Sequence, residues 1–155
     1  MEYTTQMDAA RKGIVTEELR KVAEKEHFEV NELMALVAEG KAAIPANKNH
    51  RCLDPNGIGS MLRTKINVNL GTSRDCKDLD MELEKVNYAV GMGAESIMDL
   101  SSWGDTQKFR RKLTAECPAI IGTVPIYDAV VYYHKPLKDI TTEEWLKIVE
   151  MHAED

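Results

Sequence analysis

Cysteine is scarce. The chain has three in 155 residues, Cys52, Cys76 and Cys117, odd in number, far apart and without a C-x-x-C pair. Such a set reads as three reduced cytosolic thiols. No metal site can be built from these cysteines by spacing alone. Long apolar runs are also missing. No stretch approaches the about 20 residues that a membrane helix needs. Residues Met1 to Gln6 show neither a basic n-region nor an apolar h-region, so no signal peptide is read there. Basic stretches longer than two or three residues are absent and the net charge is −6, which argues against nucleic acid as the main partner. Small anions stay open as ligands, because helix N-termini and backbone amides bind them without net positive charge. What is present, 43% hydrophobic and 30% charged residues, is a soluble globular composition with enough chain for a real core. The expected location is the cytoplasm.

The first 40 residues are read as helices. Gln6–Lys12 is closed by Gly13, a natural residue just past a helix end. Thr16 caps a second helix whose first turn carries Glu17 and Glu18 and whose stripe is Leu19, Val22 and Ala23. A third starts at Val30 and buries Leu33, Met34, Leu36, Val37 and Ala38. Ala42–Ile44 begins as a strand and breaks at Pro45. Asn47, Lys48, Asn49 and His50 then form a polar run that suits a solvated loop, with a ligand contact as the alternative. Residues 51–60 are rich in turn signals. Gly57-Ile58-Gly59-Ser60 is not a dinucleotide loop, since no strand precedes it.

From Thr64 the pattern alternates. Strands are expected at 64–70, 96–101 and 119–123. Helices are expected at about 79–92 (Met81, Val86, Ala89 and Val90 inward) and 105–116 (Phe109 and Leu113 inward). Another is expected from Pro125, with proline at the first helical position, and a last one from the capping sequence Thr141-Thr142-Glu143-Glu144. Alternation of this kind implies parallel strands with right-handed crossovers. In the first strand Ile66, Val68 and Leu70 alternate with Asn67 and Asn69, giving one apolar face and one amide face. Two amides on a strand face either water or a polar cavity, because a buried amide must find partners.

Ligands of parallel α/β folds bind at the C-terminal strand ends. The rule nominates Asn67, Asn69, Gly71, Thr72, Ser73, Met98, Asp99, Ser101, Ser102, Thr123 and Tyr127, and it favours the cavity for the two amides. Asn69, Met98 and Tyr127 are separated by two equal steps of 29 positions. Backbone amides of Gly71-Thr72-Ser73 could cradle an anion, and Asp99 could orient neighbouring donors. His50 could face the pocket. His27, His134 and His152 read as solvated helical residues without a role.

Four blocks carry a resemblance: Ile44-Pro45-Ala46-Asn47-Lys48-Asn49-His50, Lys65-Ile66-Asn67-Val68-Asn69-Leu70-Gly71-Thr72-Ser73, Ile97-Met98-Asp99-Leu100-Ser101, and Gly122-Thr123-Val124-Pro125-Ile126-Tyr127. In order and spacing they resemble the phosphomethylpyrimidine synthase family, and residues 4–16 resemble that family's start. The resemblance implies a radical S-adenosylmethionine lyase of thiamine biosynthesis, which converts aminoimidazole ribotide into hydroxymethylpyrimidine phosphate with formate and carbon monoxide as by-products. It implies a homodimer with an N-terminal domain, a (β/α)8 barrel, a [4Fe–4S] cluster, S-adenosylmethionine and a zinc ion. By motif match, Asn69, Met98 and Tyr127 fall on ribotide-binding positions. The expected architecture is α/β: an N-terminal helical segment and loop over residues 1–60, then the first three βα units of the barrel over 61–155.

The family's cluster run, C-x-x-C-x-x-x-x-C, has no counterpart in Cys52, Cys76 and Cys117, and its metal-binding histidines lie beyond Asp155. The expectation is a fragment or truncated copy that holds part of the substrate pocket and is inactive alone. 5-Hydroxybenzimidazole synthase, a paralogue using the same ribotide, and a non-catalytic module for ligand binding or subunit pairing are the alternatives.

Overall fold

A computed structural model describes residues 3–155. Met1 and Glu2, part of the stretch read above for a signal peptide, lie outside the described residues. The chain divides into two compact units. The first runs to Ala46 and takes in Asp54–Lys65. The second comprises Asn47–Leu53 and Ile66–Asp155.

In the first unit, α1 (Gln6–Arg11), α2 (Glu17–Glu26) and α3 (Val30–Ala38) follow the expected order. Thr5 and Thr16 are the N-caps, their side chains accepting from the amides of Asp8 and Leu19. Leu19, Val22, Ala23, Leu33 and Val37 form the core. The short strand at Ala42–Ala43, β1, pairs antiparallel with Ile58–Gly59, β2, inside the stretch where only turns were expected. A two-residue strand has too little alternation to show in sequence. Lys65 is drawn into a buried ion pair with Glu26, and the amide of Arg63 donates to the same carboxylate at 2.8 Å.

The second unit is the alternating half. Its strands are β3 (Asn67–Leu70), β4 (Ser96–Asp99) and β5 (Ile120–Thr123). They form one parallel sheet in sequence order, with Asn69 beside Met98 and Met98 beside Gly122. Helices α4 (Leu79–Gly91), α5 (Thr106–Glu116), α6 (Pro125–Tyr133) and α7 (Thr142–Glu154) follow the strands. Asp78, Asp105 and Thr141 cap three of them, and Thr141 and Glu144 complete a capping box. The α/β class and the parallel order therefore stand; no barrel is closed by these three strands.

Each strand is shorter than the period-2 reading. Ile66 is 59% exposed, just before the paired register that starts at Asn67; its carbonyl accepts from the amides of Glu95 and Ser96, where the chain enters β4. Beyond Asp99 the chain turns, with the Ser101 amide donating to the Asp99 carboxylate at 2.9 Å.

Side chains alternate across a strand, so Val68, Leu70, Ile97 and Ile121 share one face. They pack there with Val86, Phe109 and Leu113 of α4 and α5. The opposite face carries Asn67, Asn69, Met98 and Gly122, outside that core. Met81, expected inward, is exposed, and Glu82 is fully buried in its place. The reason is chemical: the Glu82 carboxylate accepts from the Gly71 amide at 2.8 Å, a bond that outweighs burial of a methionine.

Candidate functional site

The parallel ladder brings the C-terminal ends of β3, β4 and β5 to one edge of the sheet. Most residues nominated by the strand-end rule meet there. The Leu100 amide donates to Leu70 O at 2.7 Å and the Ser102 amide to Thr72 O at 2.9 Å, so the loops after β3 and β4 continue the pairing. The Thr72 amide donates to Ser101 Oγ at 3.1 Å, and the Thr72 hydroxyl donates to Trp103 O at 2.7 Å. Gly71 is required by this approach. Its φ is +136°, and a Cβ on it would stand 2.5 Å from Ser101 N.

These bonds settle the role of the Gly71-Thr72-Ser73 amides. Gly71 donates to Glu82, Thr72 to Ser101, and Ser73 to Cys76 O at 2.7 Å. With all three engaged internally, the turn is a built connection and not an anion cradle. Asp99 does orient neighbouring donors, as its place at a strand end suggested. Burial pushes its carboxyl above the ordinary range, opposed by bonds from Ser101 and by the charge of Arg110.

On the open face, Asn69 and Met98 are direct register neighbours. Asn67 Nδ2 donates to Asn69 Oδ1 at 2.9 Å. That bond uses the Asn69 carbonyl oxygen and leaves its N–H donors to another acceptor. Tyr127 is placed differently. It sits in the first turn of α6, 46% exposed, and the residue level with Met98 on β5 is Gly122. The second 29-position step therefore overshoots the strand and lands on the following helix. Side-chain spacing alone could not separate a strand end from the helix turn after it.

The histidines are corrected by tertiary contacts. His50 does not line the open face; it is buried against Cys117 O at 2.6 Å. Asn47 and Asn49 donate to Ala153 O and Glu154 O at the end of α7, so part of the polar run caps a helix. His152, read as solvated, is wedged between Thr123 Oγ1 at 2.8 Å and Asp128 at 3.0 Å. An ionised carboxylate only accepts, so Nε2 donates to Asp128. Thr106 donates to the other Asp128 oxygen, and Arg110 reaches Asp128 at 3.2 Å and Asp155 at 2.7 Å. Burial raises the Asp128 carboxyl, but the bonds from His152 and Thr106 and the charge of Arg110 outweigh it and hold the group below its usual range. No sequence periodicity signals such a network, because its members lie on four different elements.

Sequence reading also passed over a basic and aromatic cluster beside the loops. Lys77 Nζ lies 4.7 Å and Arg74 Cζ 5.8 Å from the centre of the Trp103 ring, a cation–π arrangement. The groove between α4 and α5, lined by Leu83, Val86, Val90 and Leu113, lies on the helical side and carries no reactive constellation.

The described residues do not fit an iron–sulfur or zinc site. Cys52 Sγ sits against Cys117 O at 3.3 Å, Cys117 is buried, and Cys76 lies on the loop before α4. Among the described residues no group of three or more His, Cys, Asp or Glu side chains is disposed to hold a metal ion. The open face of the sheet carries the Asn67 and Asn69 amides and the Met98 thioether, while the Tyr127 ring stands on α6.

A parallel β-α-β-α-β-α sheet with polar groups gathered at its strand ends defines an α/β protein with a candidate ligand-binding edge. The family model described as "Radical SAM ThiC family" matches residues 5–155, and the chain belongs to that family. It is 65% identical over 155 residues to a phosphomethylpyrimidine synthase of Clostridium botulinum (strain 657 / Type Ba4), covering 100% of this chain and 36% of that protein. A phosphomethylpyrimidine synthase of Clostridium novyi (strain NT) is 63% identical over the same span and shares. The chain thus spans about a third of the length of these curated relatives. Among the described residues no helix is long and apolar enough to cross a membrane.

Proposed function

We propose that this chain is the N-terminal portion of a phosphomethylpyrimidine synthase, a cytoplasmic homodimeric radical S-adenosylmethionine lyase that converts aminoimidazole ribotide into hydroxymethylpyrimidine phosphate for thiamine synthesis. Residues 1–60 form its N-terminal segment, and 61–155 open a (β/α)8 barrel whose remaining units, [4Fe–4S] ligands and zinc ligands lie elsewhere in the protein. Asn69, Met98 and Tyr127 bind the ribotide. The observation that carries this reading is the side-by-side register of Asn69 and Met98 on the face of the sheet outside the helical core. Asn69 donates to an acceptor of the ribotide, Met98 offers polarisable apolar contact to its flat ring, and Tyr127 adds a hydroxyl from α6. Radical chemistry is supplied by the cluster and S-adenosylmethionine when bound; this part of the chain binds and orients substrate.

The test is calorimetric titration of the full-length protein with aminoimidazole ribotide. Asn69→Ala is expected to weaken binding about tenfold, the effect of losing one hydrogen bond of about 1.4 kcal/mol. Absence of binding by the wild-type protein, or an unchanged affinity in Asn69→Ala, refutes the assignment. Product analysis with S-adenosylmethionine distinguishes a pyrimidine from a benzimidazole.

A further inference from the structure

We infer that Gly122 is a positioning residue for Met98, and that the pair sets the floor on which the ribotide ring lies; the inference rests on the function proposed above. Gly122 is level with Met98 and two strands from Asn69 in one row across the sheet. A Cβ at position 122 would stand 2.7 Å from Met98 Cε and 2.9 Å from Met98 Sδ. Real Cβ atoms essentially never come so close to a neighbour, and because both atoms are the far end of a flexible side chain it is Met98, not the backbone, that would shift. The thioether therefore occupies the volume that any other residue's side chain would fill.

The backbone does not ask for glycine here. Gly122 is not among the residues with positive φ, and it sits inside β5, where glycine weakens a strand. Its remaining physical use is space. A strand glycine marks a point of close approach, and what approaches is Met98. Methionine is unbranched, with three rotatable bonds and many accessible conformers. The gap over Gly122 selects the one that lies down along the sheet. The thioether over Gly122 lies in the row that runs from Asn69 through Met98 to Gly122. A methyl group at 122 would lift the thioether off the sheet into the volume assigned to the ligand.

The experiment is a double-variant cycle in the full-length protein, reading ribotide affinity by calorimetry and folding by circular dichroism. Gly122→Ala is expected to keep the fold and weaken ribotide binding at least tenfold. Met98→Ala weakens binding too, but on that background Gly122→Ala adds less than a twofold change, because an alanine at 98 does not reach position 122. A purely structural role for Gly122 would give no such cancellation. Wild-type affinity in Gly122→Ala, or two losses that simply multiply, overturns the inference while binding that depends on Asn69 leaves the function standing. No ribotide binding by the wild type overturns both. If Gly122→Ala does not fold, recovery of folding in the double variant supports the steric seat, and failure to recover overturns it.

Discussion

Removal of the Glu82 carboxylate probes how the turn after β3 is held. Glu82 is fully buried on α4, accepts from the Gly71 amide at 2.8 Å, and pairs with half-exposed Lys85 at 2.6 Å. In Glu82→Ala the Gly71 amide loses its acceptor, while Lys85 turns to water at little cost. A hydrogen bond to a charged group contributes about 1.5–3 kcal/mol, which corresponds to about 12-fold to about 160-fold faster opening of that amide. Glu82→Gln keeps an oxygen for Gly71 but loses the charge. Charge-assisted bonds are about twice as strong as neutral ones, so the expected acceleration is about 4- to 12-fold. Residue-resolved hydrogen exchange at the Gly71 amide, in the full-length protein, reads this directly. The Ser73 amide, bonded to Cys76 O, serves as an internal reference. Unchanged exchange at Gly71 in Glu82→Ala, or equal acceleration in both variants, refutes the idea that this carboxylate anchors the strand end.

Other perturbations test the buried charges. Lys65→Met removes the ammonium from the Glu26 carboxylate but leaves the Arg63 guanidinium at 4.0 Å and the Arg63 amide at 2.8 Å, so denaturant unfolding is expected to show a loss of about 1.5–3 kcal/mol, that of one hydrogen bond to a charged group; a midpoint within error of wild type contradicts the role of the pair. Acid sensitivity follows from the carboxylates. Burial raises Glu26 and Asp128, but bonds from Lys65 and Arg63 to the first, and from His152 and Thr106 to the second, leave both below the usual range. A depressed folded-state pKa gives stability that is present above the unfolded value of about 4 and is lost as pH falls through the folded value. The melting temperature is therefore expected to fall as pH drops below about 4, and Asp128→Asn to flatten that fall. An identical acid limb in the variant refutes the assignment to Asp128.

Local signals in the sequence were enough for most elements. Caps at Thr16 and Thr141 mark helix starts through bonds made within one turn, and the proline at position 125 does so through its fixed backbone angle, so they are legible without tertiary structure. The alternation in Asn67–Leu70 marks a strand for the same reason. Strand lengths were less legible, because a strand ends where its partner ends. Ile66 satisfies the period-2 pattern and still precedes the paired register, with its side chain exposed.

The candidate site divides in the same way. Residue types and motif order determined the family and the parallel order of the strands; the side-by-side register of Asn69 and Met98 came from the structure. Only the tertiary structure decided which groups are already engaged. It showed the Gly71, Thr72 and Ser73 amides bonded internally, His152 and Arg110 buried around Asp128, and Met98 lying over Gly122. These are contacts between residues many positions apart. Their geometry depends on how the elements pack, and no periodicity along the chain encodes it.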